Sequence, residues 1–136
     1  GKFSHKDELA FDFEMKSGSK VCAARAGKVI QTRSDSDKGG LKPENLSDGN
    51  YIIIQHEDGS TAQYWHLQYA AVFVKENEMV QQGQLIGLSG NTGYSAFPHL
   101  HFQVFDNDGK NILVRFSTKK GIFYLRPGKF YKAVHI

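Results

Sequence analysis

An all-β fold is what this sequence predicts: an antiparallel β-sandwich or open barrel of short strands, with long surface loops around a groove. Three observations carry it. Gly is frequent, at 14 of 136 residues, and it divides the chain into short alternating or β-branched runs. No stretch has convincing helical periodicity. Two such runs, 51–56 and 61–66, flank Glu57-Asp58-Gly59-Ser60, whose central Asp-Gly is a strong hairpin signal.

The elements follow in order. Residues 10–14, Ala-Phe-Asp-Phe-Glu, alternate and predict a first strand, and 20–32 predict a second that breaks at Gly27. Residues 33–50, rich in Ser, Asp and Gly with Pro43, are too polar for a strand and too long for a turn; they predict a surface loop beside a binding groove. After the hairpin, 78–88 hold two Val/Leu/Ile runs around Gly83. Residues 99–105 then lead through Asp106-Asn107-Asp108-Gly109 into 112–116, completing a meander of antiparallel strands. Residues 117–136 form a C-terminal extension that adds an edge strand or two. The length suits one domain spanning 1–136.

Composition excludes several classes. At 40% hydrophobic and 23% charged, with no low-complexity tract, the chain is not a disordered one. Its net charge of +3 is spread thinly, without the Arg/Lys stripe that marks nucleic-acid binding. No run approaches the roughly 18 apolar residues of a membrane span. Cys22, inside Val21-Cys22-Ala23-Ala24, reads as a small buried hydrophobe.

Chemistry concentrates in Pro98-His99-Leu100-His101-Phe102-Gln103-Val104-Phe105. Side chains of a strand alternate between faces, so Leu100, Phe102 and Val104 share one side and His99, His101 and Gln103 the other. The two histidines lie roughly 6.6 Å apart along the strand, which suits one metal ligand and one catalytic neighbour. In 10–14 the same parity turns Phe11 and Phe13 inward and leaves Asp12 on the polar side. An ionised carboxylate between two Phe needs a reason, and a metal supplies one. His66, closing Gln63-Tyr64-Trp65-His66, offers a third imidazole. His56 abuts the hairpin turn and reads as exposed, and His135 is assigned no role. The Gly-rich segment 87–97 runs directly into His99, and its Asn91, Tyr94 and Phe97 are candidate substrate-binding residues.

These motifs resemble a known family. Pro-His-Leu-His-Phe at 98–102, Ser-Gly-Asn-Thr-Gly at 89–93, Tyr-Trp-His-Leu at 64–67, and Asp12 followed by Ala-Ala-Arg-Ala-Gly-Lys-Val at 23–29 are similar to the lysostaphin or LytM-type zinc endopeptidases. The resemblance implies that Asp12 and His101 bind Zn2+, and that His99 and His66 polarise the water and stabilise the tetrahedral oxyanion. One departure stands out. The family pattern His-x-x-x-Asp puts its first ligand four residues before the Asp, where this chain has Glu8. Three explanations stay open: His5 reaches in from a longer loop, Glu8 supplies an oxygen, or the site has lost its metal. His5 is preferred, because the other motif elements are intact.

The implied activity is hydrolysis of peptide bonds in peptidoglycan stem or cross-bridge peptides. The competing reading is an inactive wall-binding or regulatory module of the same fold. A faint likeness of Glu14-Met15-Lys16 to the lysine hairpin of biotinyl and lipoyl carriers explains none of the histidines. The partners expected are peptidoglycan peptides, with no nucleic acid, and the chain is expected to be a monomer in the cell envelope, periplasmic or secreted.

Overall fold

The computed structural model describes residues 10–112 and the strand segments 115–118, 121–124 and 130–132. The all-β expectation holds. β1 (Ala10–Glu14), β2 (Lys20–Cys22), β3 (Gly27–Arg33), β4 (Gly39–Gly40), β5 (Tyr51–Gln55), β6 (Thr61–Trp65) and β7 (Leu67–Val72) make up the first half. β8 (Met79–Val80), β9 (Leu85–Ser89), β10 (Gly93–Tyr94), β11 (His99–Phe105), β12 (Arg115–Thr118), β13 (Gly121–Tyr124) and β14 (Phe130–Lys132) follow.

The main sheet has the order β14-β1-β11-β6-β5-β3-β8, and a smaller sheet has the order β2-β9-β7. This is not the simple meander expected. β11 inserts between β1 and β6, β14 runs parallel to β1, and β4 runs parallel to β10. The insertion matters for the site, because it places the histidine strand directly against the strand of Asp12.

Alternation explains the core. In β5 and β6, Ile52, Ile54, Ala62 and Tyr64 are buried, and on β11 Leu100, Phe102 and Val104 face the same way. The smaller sheet contributes Val21, Leu67 and Ile86 to this cluster. Each fully buried aliphatic side chain stabilises the fold by about 1.5–3 kcal/mol. The two sheets therefore hold together chiefly through this shared apolar layer.

Three expectations need correction. The strand foreseen over 20–32 ends at Cys22 and resumes at Gly27. Between them the backbone turns to other partners, with Ala23 N–H donating to the Gln84 carbonyl at 2.9 Å and Ala24 N–H to the Tyr64 hydroxyl at 2.9 Å. At Gly27 a Cβ would stand 2.4 Å from the Gln55 carbonyl oxygen, so the chain passes there as glycine. Cys22 is exposed rather than core, since it alternates with buried Val21 on an edge strand. His56 is buried rather than exposed, with its Nδ1 2.8 Å from the Ala26 carbonyl.

The polar segment 33–50 is more ordered than a plain loop. It contains β4 and a 3-10 turn over Pro43–Ser47, whose Asn45 side chain accepts from Lys42 N–H at 3.1 Å. Pairing of β4 with β10 fastens this segment to the loop that precedes the histidine strand.

Candidate active site

β1, β11 and one corner of the chain bring the four expected side chains together. Phe11 is buried in the core, so its neighbour Asp12 projects from the other face of the sheet, where it is 1% exposed. Register pairs Asp12 with His101 of β11, and His101 with Trp65 of β6. Cross-strand neighbours on one face have Cβ atoms only about 5 Å apart, so the carboxylate and the imidazole meet. Asp12 Oδ1 lies 3.0 Å from His101 Nδ1 and 3.4 Å from His99 Nε2.

His66 arrives by a different route. β6 ends at Trp65 in the main sheet and β7 begins at Leu67 in the smaller one. His66 alone makes the transfer, at φ 69°. A left-handed conformation in a residue with a Cβ carries strain of order 1–3 kcal/mol and persists only where the surroundings over-determine it. It swings the ring toward the paired histidines. The ring centroids of His66 and His99 are 4.7 Å apart, and those of His66 and His101 5.8 Å. One ligand atom from each of the three imidazoles lies within 4.8 Å of the others.

Outer hydrogen bonds set which ring nitrogens carry protons. His66 Nδ1–H donates to the Thr92 carbonyl at 2.7 Å, and His99 Nδ1–H to the Phe97 carbonyl at 2.8 Å. His101 Nε2–H donates to Gln103 Oε1 at 3.0 Å. The inward nitrogens are then His66 Nε2, His99 Nε2 and His101 Nδ1, each with a lone pair. Gln103, noted for its face, is the group that orients the His101 ring.

Burial alone would raise the Asp12 carboxyl, but when the inward nitrogen of His101 or His99 carries a proton, the hydrogen bond and charge of that imidazole outweigh burial and hold the carboxyl below its usual range. Burial, reinforced by neighbouring His99, pushes His66 down to about 4, so it is neutral near pH 7.

The donor set fits Zn2+. Asp12 Oδ1 and His101 Nδ1, 3.0 Å apart, share a proton in a hydrogen bond, and a metal cation in place of that proton would have a donor on either side. With metal bonds of about 2.0–2.1 Å, the edge of a tetrahedral site is roughly 3.3 Å, close to that separation. His101 has the outer partner that metal-ligating histidines require.

One further expected residue lies against this centre. Phe97 is 37% exposed, with its ring 5.3 Å from that of His99. Tyr94 is exposed on β10, whereas the Oδ1 of half-buried Asn91 is enclosed with no hydrogen-bond partner among the described residues. Tyr51 and Trp65 stack at 4.4 Å beside the site. His5 and Glu8 lie outside the described residues, as does His135. Sequence reasoning missed Asn50 and Thr92, whose buried hydrogen bonds reach the His66 corner. No motif in the polar loop singles out Asn50; only the folded contacts do.

A carboxylate and inward imidazoles gathered on a β-sheet are the kind of donors that hold a metal in metal-dependent hydrolases. Known proteins give this class a family. The family model described as peptidase family M23 matches residues 6–112, and the chain belongs to that family. It is 38% identical over 93 residues to the peptidoglycan DD-endopeptidase ShyA of Vibrio cholerae, covering 68% of this chain and 19% of ShyA. It is 39% identical over 100 residues to lysostaphin of Staphylococcus simulans, covering 74% of this chain and 18% of lysostaphin. The chain thus spans about a fifth of the length of these curated relatives. The solved catalytic domain of S. simulans lysostaphin superposes with a TM-score of 0.57 at 35% identity, over 71% of this chain and 65% of that one. A zinc-containing peptidase from V. cholerae does so with a TM-score of 0.60 at 32% identity, over 74% of this chain and 27% of that one.

Proposed function

We propose that this chain is the catalytic domain of a zinc-dependent peptidoglycan endopeptidase, acting on stem or cross-bridge peptides in the cell envelope, in the periplasm or outside the cell. The observation that carries the reading is Asp12 Oδ1 and His101 Nδ1 at 3.0 Å on adjacent strands, with two further imidazoles beside them. Relatives named as peptidoglycan and glycyl-glycine endopeptidases support the substrate class.

Asp12 and His101 hold Zn2+, with His5 as the third protein ligand and Glu8 as the alternative donor. When bound, the ion supplies Lewis acidity toward a water molecule and the scissile carbonyl. His66 and His99 present unprotonated Nε2 atoms inward, and one of the two takes the single proton of the attacking water. Once protonated, that nitrogen donates to the tetrahedral oxyanion and then gives the proton to the leaving amine as the C–N bond breaks. Asn91, Tyr94 and Phe97 border the path of the substrate peptide.

The test is to add purified protein to a peptidoglycan suspension and follow turbidity. Clearing that a chelator stops and added zinc restores is expected. A suspension that stays turbid with zinc-loaded protein rejects the enzyme and leaves the non-catalytic wall-binding module. Zinc content of His5→Ala and Glu8→Ala identifies the remaining ligand, and full occupancy in His5→Ala rejects His5.

A further inference from the structure

We infer that Asn50 and Thr92 are positioning residues for His66: they lock the corner that carries it and the carbonyl that selects its tautomer. The inference deepens the proposed peptidase reading and rests on it for the catalytic consequence, though not for the geometry.

Asn50 is fully buried, and its polar groups engage Leu67, the residue that follows His66, together with Ser36 and Thr92. Its carbonyl accepts from Leu67 N–H at 3.2 Å, and its Nδ2–H donates to the Leu67 carbonyl at 3.2 Å. Both backbone groups of Leu67 are thereby held by a single residue. The same amide grips Ser36 in two places, accepting from Ser36 N–H at 3.0 Å and donating to the Ser36 carbonyl at 2.8 Å. A buried amide with every group satisfied is rigid, and moving it leaves several groups unpaired.

Thr92 closes the clamp from the other side. Its hydroxyl donates to the Leu67 carbonyl at 2.6 Å and accepts from Asn50 N–H at 3.1 Å. Its carbonyl accepts from His66 Nδ1–H at 2.7 Å. Fixing the hydroxyl fixes the carbonyl, and the carbonyl decides that His66 turns an unprotonated Nε2 toward the other histidines. The next residue confirms how tightly the parts fit. Gly93 has φ 86°, and a Cβ there would stand 2.8 Å from Gly49 Cα and 3.2 Å from His66 Nδ1.

A left-handed residue such as His66 stays in place only if its neighbours leave it no alternative. Asn50 and Thr92 are those neighbours. Neither enters the inward-facing donor set, so their effect on chemistry passes through His66.

The experiment compares zinc-loaded wild type, Thr92→Val and Thr92→Ser. Long-range proton–nitrogen NMR reads which ring nitrogen of His66 is protonated, and steady-state kinetics follow turnover of solubilised peptidoglycan peptides. Wild type is expected to show the Nδ1–H tautomer. Thr92→Val is expected to mix in the Nε2–H form and lose about 10²-fold in kcat, with KM changed by less than about twofold and zinc content unchanged. Thr92→Ser, which keeps the hydroxyl, is expected to restore both readouts. An Nε2–H tautomer in wild type overturns the inference even if Thr92→Val does not fold. So does a Thr92→Val protein with wild-type tautomer and kcat. Wild type that turns over nothing, while Thr92→Val still disturbs the tautomer, rejects the peptidase reading and sustains the positioning.

Discussion

Asp12 and His101 stand 89 residues apart in the chain and directly opposite each other in the sheet, with Oδ1 and Nδ1 at 3.0 Å. Only the insertion of β11 beside β1 makes them neighbours. Much of the chemistry proposed for this protein depends on that pairing, and several consequences follow from it or from the packing beneath it.

Removing either partner should abolish metal binding. Asp12→Ala leaves His101 without its paired oxygen, and His101→Ala deprives a buried carboxylate of the imidazole 3.0 Å away. Zinc measured per protein is expected to fall toward zero in both, with clearing of peptidoglycan lost. Retained stoichiometric zinc in both would show that these residues are not ligands.

His66→Asn and His99→Ala should behave otherwise. Asn tolerates the left-handed backbone that residue 66 adopts, so the fold is expected to survive. Zinc is expected to stay bound, while kcat falls by about 10²–10⁴-fold, the usual worth of a positioned acid or base. Parallel zinc analysis and kinetics check this, and wild-type kcat in either variant contradicts its catalytic role.

Much of the site was legible because strand parity is local. Alternation in 99–105 and 10–14 is enough to put His99, His101 and Asp12 on the non-core faces of their strands. What parity does not reveal is pairing. The placement of β11 between β1 and β6 is a long-range choice, and the transfer of His66 between sheets depends on a single positive φ. His56 looked exposed because its acceptor, the Ala26 carbonyl, is 30 residues away. Cys22 looked buried because its apolar neighbours hide the fact that β2 is an edge strand, where only Val21 of the pair points inward.

Alkaline pH should destabilise the protein through Tyr64. Burial pushes its hydroxyl up to about 12 from the ordinary 10.0. Between those values the unfolded chain has lost the proton and the native one keeps it. The unfolded state thus binds fewer protons, and stability falls as pH rises, by on the order of 2 kcal/mol when complete. Denaturant melts from pH 9 to 12 are expected to show this loss in wild type. In Tyr64→Phe that component is expected to vanish, with stability at pH 7 lower by about 1–3 kcal/mol because Ala24 N–H loses its acceptor. Parallel pH profiles for the two proteins would refute the assignment.

Core truncation should act on stability before it acts on the site. Ile52 is fully buried between the sheets, and Ile52→Ala is expected to cost about 2–5 kcal/mol in urea unfolding. A change below about 1 kcal/mol would mean the apolar layer is looser than its burial implies.

The most direct measurement is anomalous diffraction at the zinc absorption edge from crystals of the zinc-loaded protein. A peak about 2.0–2.2 Å from both Asp12 Oδ1 and His101 Nδ1, with His66 and His99 beyond bonding distance, is the result expected. A zinc peak elsewhere, or an Asp12 carboxylate turned away from His101 in the metal-loaded crystal, would contradict the assignment of these two residues as its ligands.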